Sequence, residues 1–532
     1  MPFFALAKRY RKLISGGGNG TSHGMSGARA IEMDVVRSPQ RRPQAPHPKS
    51  KFLAINEFRT NLTKFSSTPP TSTPKHMLPR FLLFALCAFV LPNLGEAADR
   101  PNIVIFFTDD QGTLDAGCYG SDDIDTPAID DLAASGVRFT QAYAHVVCCP
   151  SRAALMTGRH PQRSGVVSWT QCDRNGSDSA NVNMPASEIT LAEVLKASGY
   201  KTAIFGKWHL GAKQGHGPLD QGFDRYFGHL SGFIDNYRHH FMHGRGYHDL
   251  YDDNEQIERK GEYFPDLMTA EALKYVDENK ESPFLMMVNF NLPHYPEQAD
   301  EKFVKRYADL EMPRSSYAAV VSTVDDRIGR IVKKLEDLKL REKTVLIFMS
   351  DNGHSAENKG PLTMENHKSG YPKGHYYSAN GGGGNTGKWI GHKGQYLEGG
   401  IRVPAIISYP GHLPQGEVRD EAITVMDWFP TVLGLCGVGK PPIPIDGKSV
   451  LPLIDSKEAK SEHGELHWAW ANGWAVREGP WKLIGARDKP NLLVNLEDEK
   501  PERKNYLKQK PELAARLLDM HLGWLQEVTP MK

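Results

Sequence analysis

Asn102-Ile103-Val104-Ile105-Phe106-Phe107-Thr108-Asp109-Asp110 is the stretch that decides the fold. An apolar run without polar alternation, closed by two carboxylates, fits a strand buried on both faces of a mainly parallel sheet. Four further runs share this character: Thr202 to Phe205, Phe284 to Phe290, Val345 to Met349 and Val403 to Ser408. Helical patterns lie between them. Thr190-Leu191-Ala192-Glu193 is a capping box ahead of Val194 and Leu195, with Gly199 as the stop. Tyr317 to Leu338 carries Val320, Val321, Val324, Ile328, Ile331, Val332 and Leu335 on one stripe, with Lys and Asp on the other face. Strands alternating with helices imply crossover units. The expected fold class is therefore α/β: a large, mainly parallel central sheet flanked by helices.

The pattern changes from about Glu465. Trp468, Trp470, Trp474 and Trp481 lie among short segments, Leu483-Ile484 and Leu492-Leu493-Val494 read as strands, and a helix follows near Pro511 to Gln526. This predicts a smaller C-terminal α+β subdomain, residues 441–532, bearing a short antiparallel sheet. Ser378 to Thr386, with glycines at 381 to 384, reads as a mobile loop.

The 532 residues allow two to four domains at about 100 to 200 residues each, or one large α/β domain with appendages. The formal charge of +1 is unevenly spread. Residues 1–76 carry 13 Lys/Arg against 3 Asp/Glu, so they hold +10 and leave −9 to the remainder. That argues against a globally basic nucleic-acid surface, so a polyanion site must be a local pocket. Residues 1–76 are poor in core material and read as a disordered extension, or as sequence upstream of a true start at Met77. Residues 77–98 read as a secretory signal: Arg80, the apolar run Phe81 to Leu91, then Gly95-Glu96-Ala97 before a cleavage point after Ala97 or Ala98. The run is too short for a stable membrane span of about 20 residues. The expectation is a secreted or periplasmic protein with its main domain over 99–440. Beyond Cys87 in the signal, five cysteines (118, 148, 149, 172, 436) are no disulfide scaffold.

Chemistry-bearing residues come directly after the buried runs. Asp109-Asp110 closes the first, Gly206-Lys207-Trp208-His209 the second, Pro293-His294-Tyr295 the third and Asp351-Asn352-Gly353 the fourth, while Lys393 precedes the fifth. In open α/β sheets the carboxyl ends of strands form the binding crevice, so these groups are expected to converge on one edge. Asp109, Asp110, Asp351 and Asn352 form a hard oxygen set suited to Ca²⁺ or Mg²⁺ and poor for zinc. Each acidic pair alone is more often a turn or a helix cap; two at equivalent strand ends, together with the cysteine motif at Cys148, make the metal reading the better one. Cys148-Cys149-Pro150-Ser151-Arg152 opens a helix expected over Ser151 to Arg159, whose N-terminal N–H groups and dipole favour an oxyanion. Arg152 adds a fixed fork donor, Lys207 and Lys393 add point charges, and His209 and His294 can exchange protons near neutral pH. Trp169, Tyr247 and Trp389 are candidate sugar platforms, and equally candidates for packing.

The pattern Cys-x-Pro-Ser-Arg at Cys148 resembles the signature of type I sulfatases of the alkaline phosphatase superfamily, and Gly206-Lys207-Trp208-His209-Leu210-Gly211 resembles a second signature of that family. The resemblance covers residues 100 to about 440. It implies an alkaline phosphatase-like fold and conversion of Cys148 by a formylglycine-generating maturation enzyme, giving an aldehyde whose hydrate is the nucleophile. It further implies a divalent cation, usually calcium, held by Asp109, Asp110, Asp351 and Asn352 with residue 148 as a further ligand, and a sulfate pocket made by Arg152, Lys207, His209, His294 and Lys393. The implied activity is hydrolysis of a sulfate ester, with a sulfated carbohydrate as the expected substrate. Two alternatives stand beside it: a phosphonate monoester or phosphodiester hydrolase of the same superfamily, and an unmodified protein that binds sulfated glycans. The segment between Asp351 and Lys393 has no evident family template and leaves the substrate open.

Overall fold

The computed structural model describes residues 100–168 and 183–529. The extension, the signal segment, Trp169, Cys87 and Cys172 lie outside the described residues. Among those described, an eleven-stranded sheet forms the frame. Its strands are β1 (Asn102–Asp109), β2 (Val137–Tyr143), β3 (Lys201–Lys207), β4 (Arg225–His229), β5 (Tyr251–Asp252), β6 (Glu255–Gln256), β7 (Phe284–Pro293), β8 (Thr344–Ser350), β9 (Arg402–Ser408), β10 (Glu417–Arg419) and β11 (Ile423–Thr424). They run in the order β10-β2-β9-β8-β1-β7-β3-β4-β5-β6, with β11 also on β2. The centre, β8-β1-β7-β3-β4, is parallel throughout.

All eight residues of β1 are buried. Its side chains alternate between two cores, which is why its sequence shows no polar alternation. Ile103, Ile105 and Phe107 face one side, with α2 (Cys148–Thr157), α3 (Leu191–Ala197) and α6 (Trp428–Leu435) packed over it. Val104 and Phe106 face the other, under α1 (Pro127–Ala134), α4 (Phe264–Asn279) and α5 (Arg314–Asp337). The expected capping box is present: Thr190 Oγ1 accepts the Glu193 N–H at 3.1 Å and Glu193 returns the contact to the Thr190 N–H at 2.7 Å. The stripe on α5 is also present, but two charged residues of that helix are buried. Asp325 accepts the N–H groups of Ala128 and Ile129 at the start of α1, and Arg327 binds Asp266 and Asp300.

Two features go beyond the sequence reading. The Val403–Ser408 run is a strand, but β9 is antiparallel to both β8 and β2, so the chain reaches the carboxyl edge of the parallel strands before β9 rather than after it. The glycine loop expected to be mobile is tied down: Arg314 Nη1 donates to Gly383 O at 2.9 Å, and the Asn385 N–H donates to both Asp115 carboxylate oxygens at 3.0 Å. Its glycines allow close approach, since a Cβ on Gly384 would sit 2.2 Å from the His354 side chain.

The C-terminal strands β12 (Glu465–Trp470), β13 (Gly473–Glu478), β14 (Trp481–Ala486) and β15 (Lys489–Asn495) form the expected small antiparallel sheet. α7 (Pro511–Val528) covers one face through Ala514, Leu517 and Leu518. The other face packs on Tyr143, Val146, Val147, Tyr396 and Ile401 of the main domain. No helix among the described residues is long and apolar enough to cross a membrane.

Candidate active site

The strand register carries the acidic and basic residues to one edge. Thr108 pairs with Ser350, so Asp109-Asp110 leaves β1 beside Asp351-Asn352 leaving β8. Asp109 pairs with Pro293, which sets His294 beside them. Gly206 pairs with Asn289, so Lys207 ends β3 at the same level. Glycine is required at 206 because its φ is +111° and a Cβ there would lie 2.0 Å from Asn289 O.

Cys148 is the first residue of α2, three residues earlier than the sequence suggested, and the whole helix is buried. Its Sγ lies 3.4 Å from Asp109 Oδ1. Lys207 Nζ is 2.6 Å from Asp109 Oδ2, and Lys393 Nζ is 2.9 Å from Asp110 Oδ2. Arg152, on the next turn of α2, places Nε at 3.1 Å and Nη2 at 2.8 Å from Asp351 Oδ2. Asp351 Oδ1 accepts the Asp110 N–H at 3.2 Å, and Asn352 Nδ2 donates to Asp110 Oδ1 at 2.6 Å. His294 donates Nδ1–H to Tyr295 O, 2.6 Å away, and holds Nε2 3.7 Å from Asp110 Oδ2. The sequence candidates Asp109, Asp110, Cys148, Arg152, Lys207, His294, Asp351, Asn352 and Lys393 therefore form one cluster. His209 is buried two residues beyond Lys207 with φ +53°, within electrostatic reach of His229.

The electrostatics come from burial and neighbours. Burial alone would raise the Asp109 carboxyl, but the charges of Lys207, Arg152 and Lys393 outweigh it and hold Asp109 far below the ordinary carboxylate range. Asp110 is pushed up to about 7 by burial and by the charges of Asp109 and Asp351, against the pull of Lys393. Burial pushes the Cys148 thiol well above its usual value, so the unmodified side chain is a protonated, poor nucleophile. Burial likewise holds His294 well below its usual value, and so neutral.

The donor set fits a hard divalent cation. Ligand atoms of Asp109, Asp110, Cys148 and His294 all lie within 4.8 Å of one another, and every one of these residues is buried. Asn352 Oδ1 is buried without a hydrogen-bond partner beside them. Three crowded carboxylates and an orphaned amide oxygen are a calcium- or magnesium-like environment. The tight cluster includes His294, which the sequence placed among the proton-transfer groups. Asp351 and Asn352 stand next to that cluster through their contacts with Asp110.

Several neighbours were not read from sequence. Asn289 Nδ2 donates to Lys207 O at 3.1 Å, and Ser350 Oγ bridges the Gln111 N–H and Asn352 O, each at 2.9 Å. Tyr317 OH joins Asp110 O and the Gly112 N–H. Glu357 Oε2 lies 3.9 Å from Lys393 Nζ. Asn289 had a legible signal, a polar side chain inside a run otherwise apolar. Tyr317 and Glu357 had none, since their roles depend on distant segments meeting. Of the aromatic candidates, Tyr247 is packed against Phe241 at 5.0 Å, and Trp389 lies under the Arg402 guanidinium at 4.1 Å.

The fold is that of the alkaline phosphatase superfamily. The sulfatase family's sequence profile matches residues 101–438, and that of the N-sulphoglucosamine sulphohydrolase C-terminal region matches residues 388–519. The chain belongs to the sulfatase family. It is 35% identical over 433 residues to N-acetylgalactosamine-6-sulfatase of Mus musculus, covering 74% of this chain and 76% of that one. It is 31% identical over 481 residues to steryl-sulfatase of Homo sapiens, covering 76% and 78%. The solved structure of Ps i-CgsB in complex with k-i-k-neocarrahexaose superposes with a TM-score of 0.69 at 28% identity, over 80% of this chain and 93% of that one. The protein is a sulfatase, an enzyme of sulfate ester hydrolysis.

Proposed function

We propose that the substrate is a sulfated carbohydrate and that Cys148, matured to formylglycine, is the nucleophile, beside a divalent cation held by Asp109, Asp110, Asp351 and Asn352. The observation that carries this reading is the burial of Cys148 at a helix start, 3.4 Å from Asp109, inside a ring of fixed cationic side chains. A thiol there is protonated and weak, which makes sense of a site whose residue 148 is meant to be replaced by a hydrated aldehyde. The cation, calcium or magnesium, supplies charge for the nucleophilic oxygen and the sulfuryl group.

The chain's own residues do the rest. Lys207 and Lys393 are anchored on Asp109 and Asp110 and need no reorganisation to face the sulfuryl oxygens, the condition for strong electrostatic stabilisation. Arg152 is locked by Asp351 and fixes the carboxylate that accepts a proton from the nucleophile. His294 is oriented by Tyr295 O with Nε2 facing the pocket; the bound sulfate's negative charge favours its protonation, and Nε2–H then donates to the departing alcohol oxygen. His209 is assigned to the proton that leaves during sulfate release. The relatives named for carbohydrate sulfates and the family profile support a sugar substrate, and the segment read as a secretory signal supports export, secreted or periplasmic.

Peptide mass spectrometry across residue 148, with sulfate release from an aryl sulfate, an aryl phosphodiester and a series of sulfated mono- and oligosaccharides, tests the reading. Formylglycine at 148 and preference for sulfated sugars are expected. An active enzyme with a wholly retained thiol, or one that prefers the phosphodiester, overturns it.

A further inference from the structure

The small C-terminal sheet grips the segment that carries Lys393. Lys482, on β14 and with no exposed side-chain surface, places Nζ 2.8 Å from Glu398 Oε1 and 2.7 Å from Glu502 Oε1. Glu502 accepts the Glu398 N–H at 2.9 Å and the Ile390 N–H at 3.5 Å. The second oxygen of Glu398 is held by Arg402 Nε at 2.6 Å and by Tyr143 OH at 2.7 Å. This buried triad pins both ends of residues 390–398, and Lys393 lies between them.

The pinned segment touches the catalytic frame through its backbone. The Lys393 N–H donates to His354 O at 2.9 Å, the Gly394 N–H to Val146 O at 2.7 Å, and the Gly353 N–H to Gly400 O at 3.0 Å. These bonds tie it to the residues just after Asn352 and just before Cys148. The packing leaves no slack: a Cβ on Gly353 would sit 1.9 Å from Gly399 O, and one on Gly399 would sit 2.2 Å from Gly391 O. A shift of the segment is therefore a shift of Lys393 Nζ and of the Asp351-Asn352 pair.

A buried ionic triad is a poor way to gain stability, because apolar side chains of the same volume hold as well or better. What charges add is direction, a single arrangement in place of several that pack alike. We propose that Lys482 and Glu502 are positioning residues of the active site: they set Lys393 and, through Gly353, the Asp351-Asn352 pair relative to Cys148. The functional half of this proposal rests on the sulfatase reading above.

The test uses matured full-length enzyme and the variants Glu502→Gln and Lys482→Met. Gln keeps the shape and an acceptor oxygen for the two amides while removing the charge opposite Lys482. Thermal unfolding counts folded molecules, amide hydrogen exchange reads residues 390–401 against β1 and β8, and kcat and KM are taken on an aryl sulfate. For Glu502→Gln the expected result is cooperative unfolding, unchanged exchange in β1 and β8, faster exchange across 390–401, and kcat per folded molecule lower by about tenfold to hundredfold, the usual consequence of displacing a catalytic group by about an ångström. Lys482→Met is expected to do the same if it folds; if it does not, Glu502→Gln decides alone. Wild-type exchange in 390–401, or faster exchange spread evenly over the sheet with kcat per folded molecule unchanged, overturns the proposal. Failure of the wild type to release sulfate from the aryl ester would instead strike the sulfatase reading, and the exchange measurement would still decide whether the triad holds the segment.

Discussion

Lowering the pH should loosen the junction between the catalytic sheet and the C-terminal subdomain, and the amount can be worked from four histidines. His145 lies just past β2, His160 just past α2, His467 on β12 and His521 on α7. Burial pushes His145 and His467 down to about 3, and His160 and His521 to about 4. His467 Nδ1 and His521 Nδ1 are 3.4 Å apart, so both rings cannot carry a proton there, and His521 is stacked on Trp474 at 4.8 Å. The charged groups around His160 are Asp446, Arg163, His463 and Glu527, and burial outweighs the two acids. An unfolded histidine titrates near 6.5. From pH 6.5 down to about 4 the unfolded chain therefore binds a proton that the native site refuses, and stability falls by about 1.4 kcal/mol per pH unit for each such residue. For His521 that is about 3 kcal/mol in all and about 2 kcal/mol by pH 5; four residues together approach the whole stability of a domain, about 5 to 15 kcal/mol.

His463 works in the other direction. Burial disfavours its charge, but Asp427, 2.9 Å from Nε2, outweighs burial and raises it. Its contribution is complete below about pH 6.5 and is lost as pH rises through the folded value, so it offsets part of the loss on acidification. The assay is urea unfolding of wild type and His521→Phe at pH 7.5, 6 and 5. The variant is expected to be less stable at pH 7.5, because His467 Nδ1 loses its partner, yet to fall by about 2 kcal/mol less between pH 7.5 and 5. A wild type equally stable at both pH values, or a variant with the wild-type slope, refutes the reasoning.

Four further outcomes are expected. Cys148→Ala should abolish sulfate release while leaving the circular dichroism spectrum and unfolding midpoint near wild type, because Ala fits a helix start and the lost Sγ makes one weak contact; turnover at the wild-type rate would exclude residue 148 as nucleophile. Added calcium should raise the thermal midpoint of wild type, by about 3 kcal/mol of stability at a hundredfold excess over Kd. Asp110→Asn should abolish that rise while stabilising the metal-free protein, since Asp110 is the carboxyl that burial and its neighbours push up to about 7; a calcium-dependent midpoint in the variant would remove Asp110 from the ligands. Asp325→Ala should cost about 1 to 3 kcal/mol in denaturant unfolding by stranding the first N–H groups of α1, with activity per folded molecule unchanged.

How far the sequence carries depends on whether a residue's role is set along the chain or across it. β1 could be read because both its neighbours are strands and both its faces are covered, so burial imposes one composition on the entire run. Asp109, Lys207, His294 and Asp351 could be read for a related reason: parallel strands in register end together, so the residues at their carboxyl ends meet one another. The orientation of β9 could not be read, since a doubly buried strand has the same composition in either direction, and so the route by which Lys393 arrives was hidden. Glu398, Lys482 and Glu502 were invisible for a stronger reason. Each is a charged residue in a sequence that is about one quarter charged, and nothing local marks these three as the ones without water. They are buried where the small sheet docks on Tyr143 and Tyr396, and that docking is made by apolar residues, Leu466, Trp468 and Ala475. Apolar contacts thus bring the two parts together and the charges decide how they lie. Replacing the apolar contacts should therefore loosen the subdomain as a whole, whereas neutralising one charge should leave it docked and move the lysine.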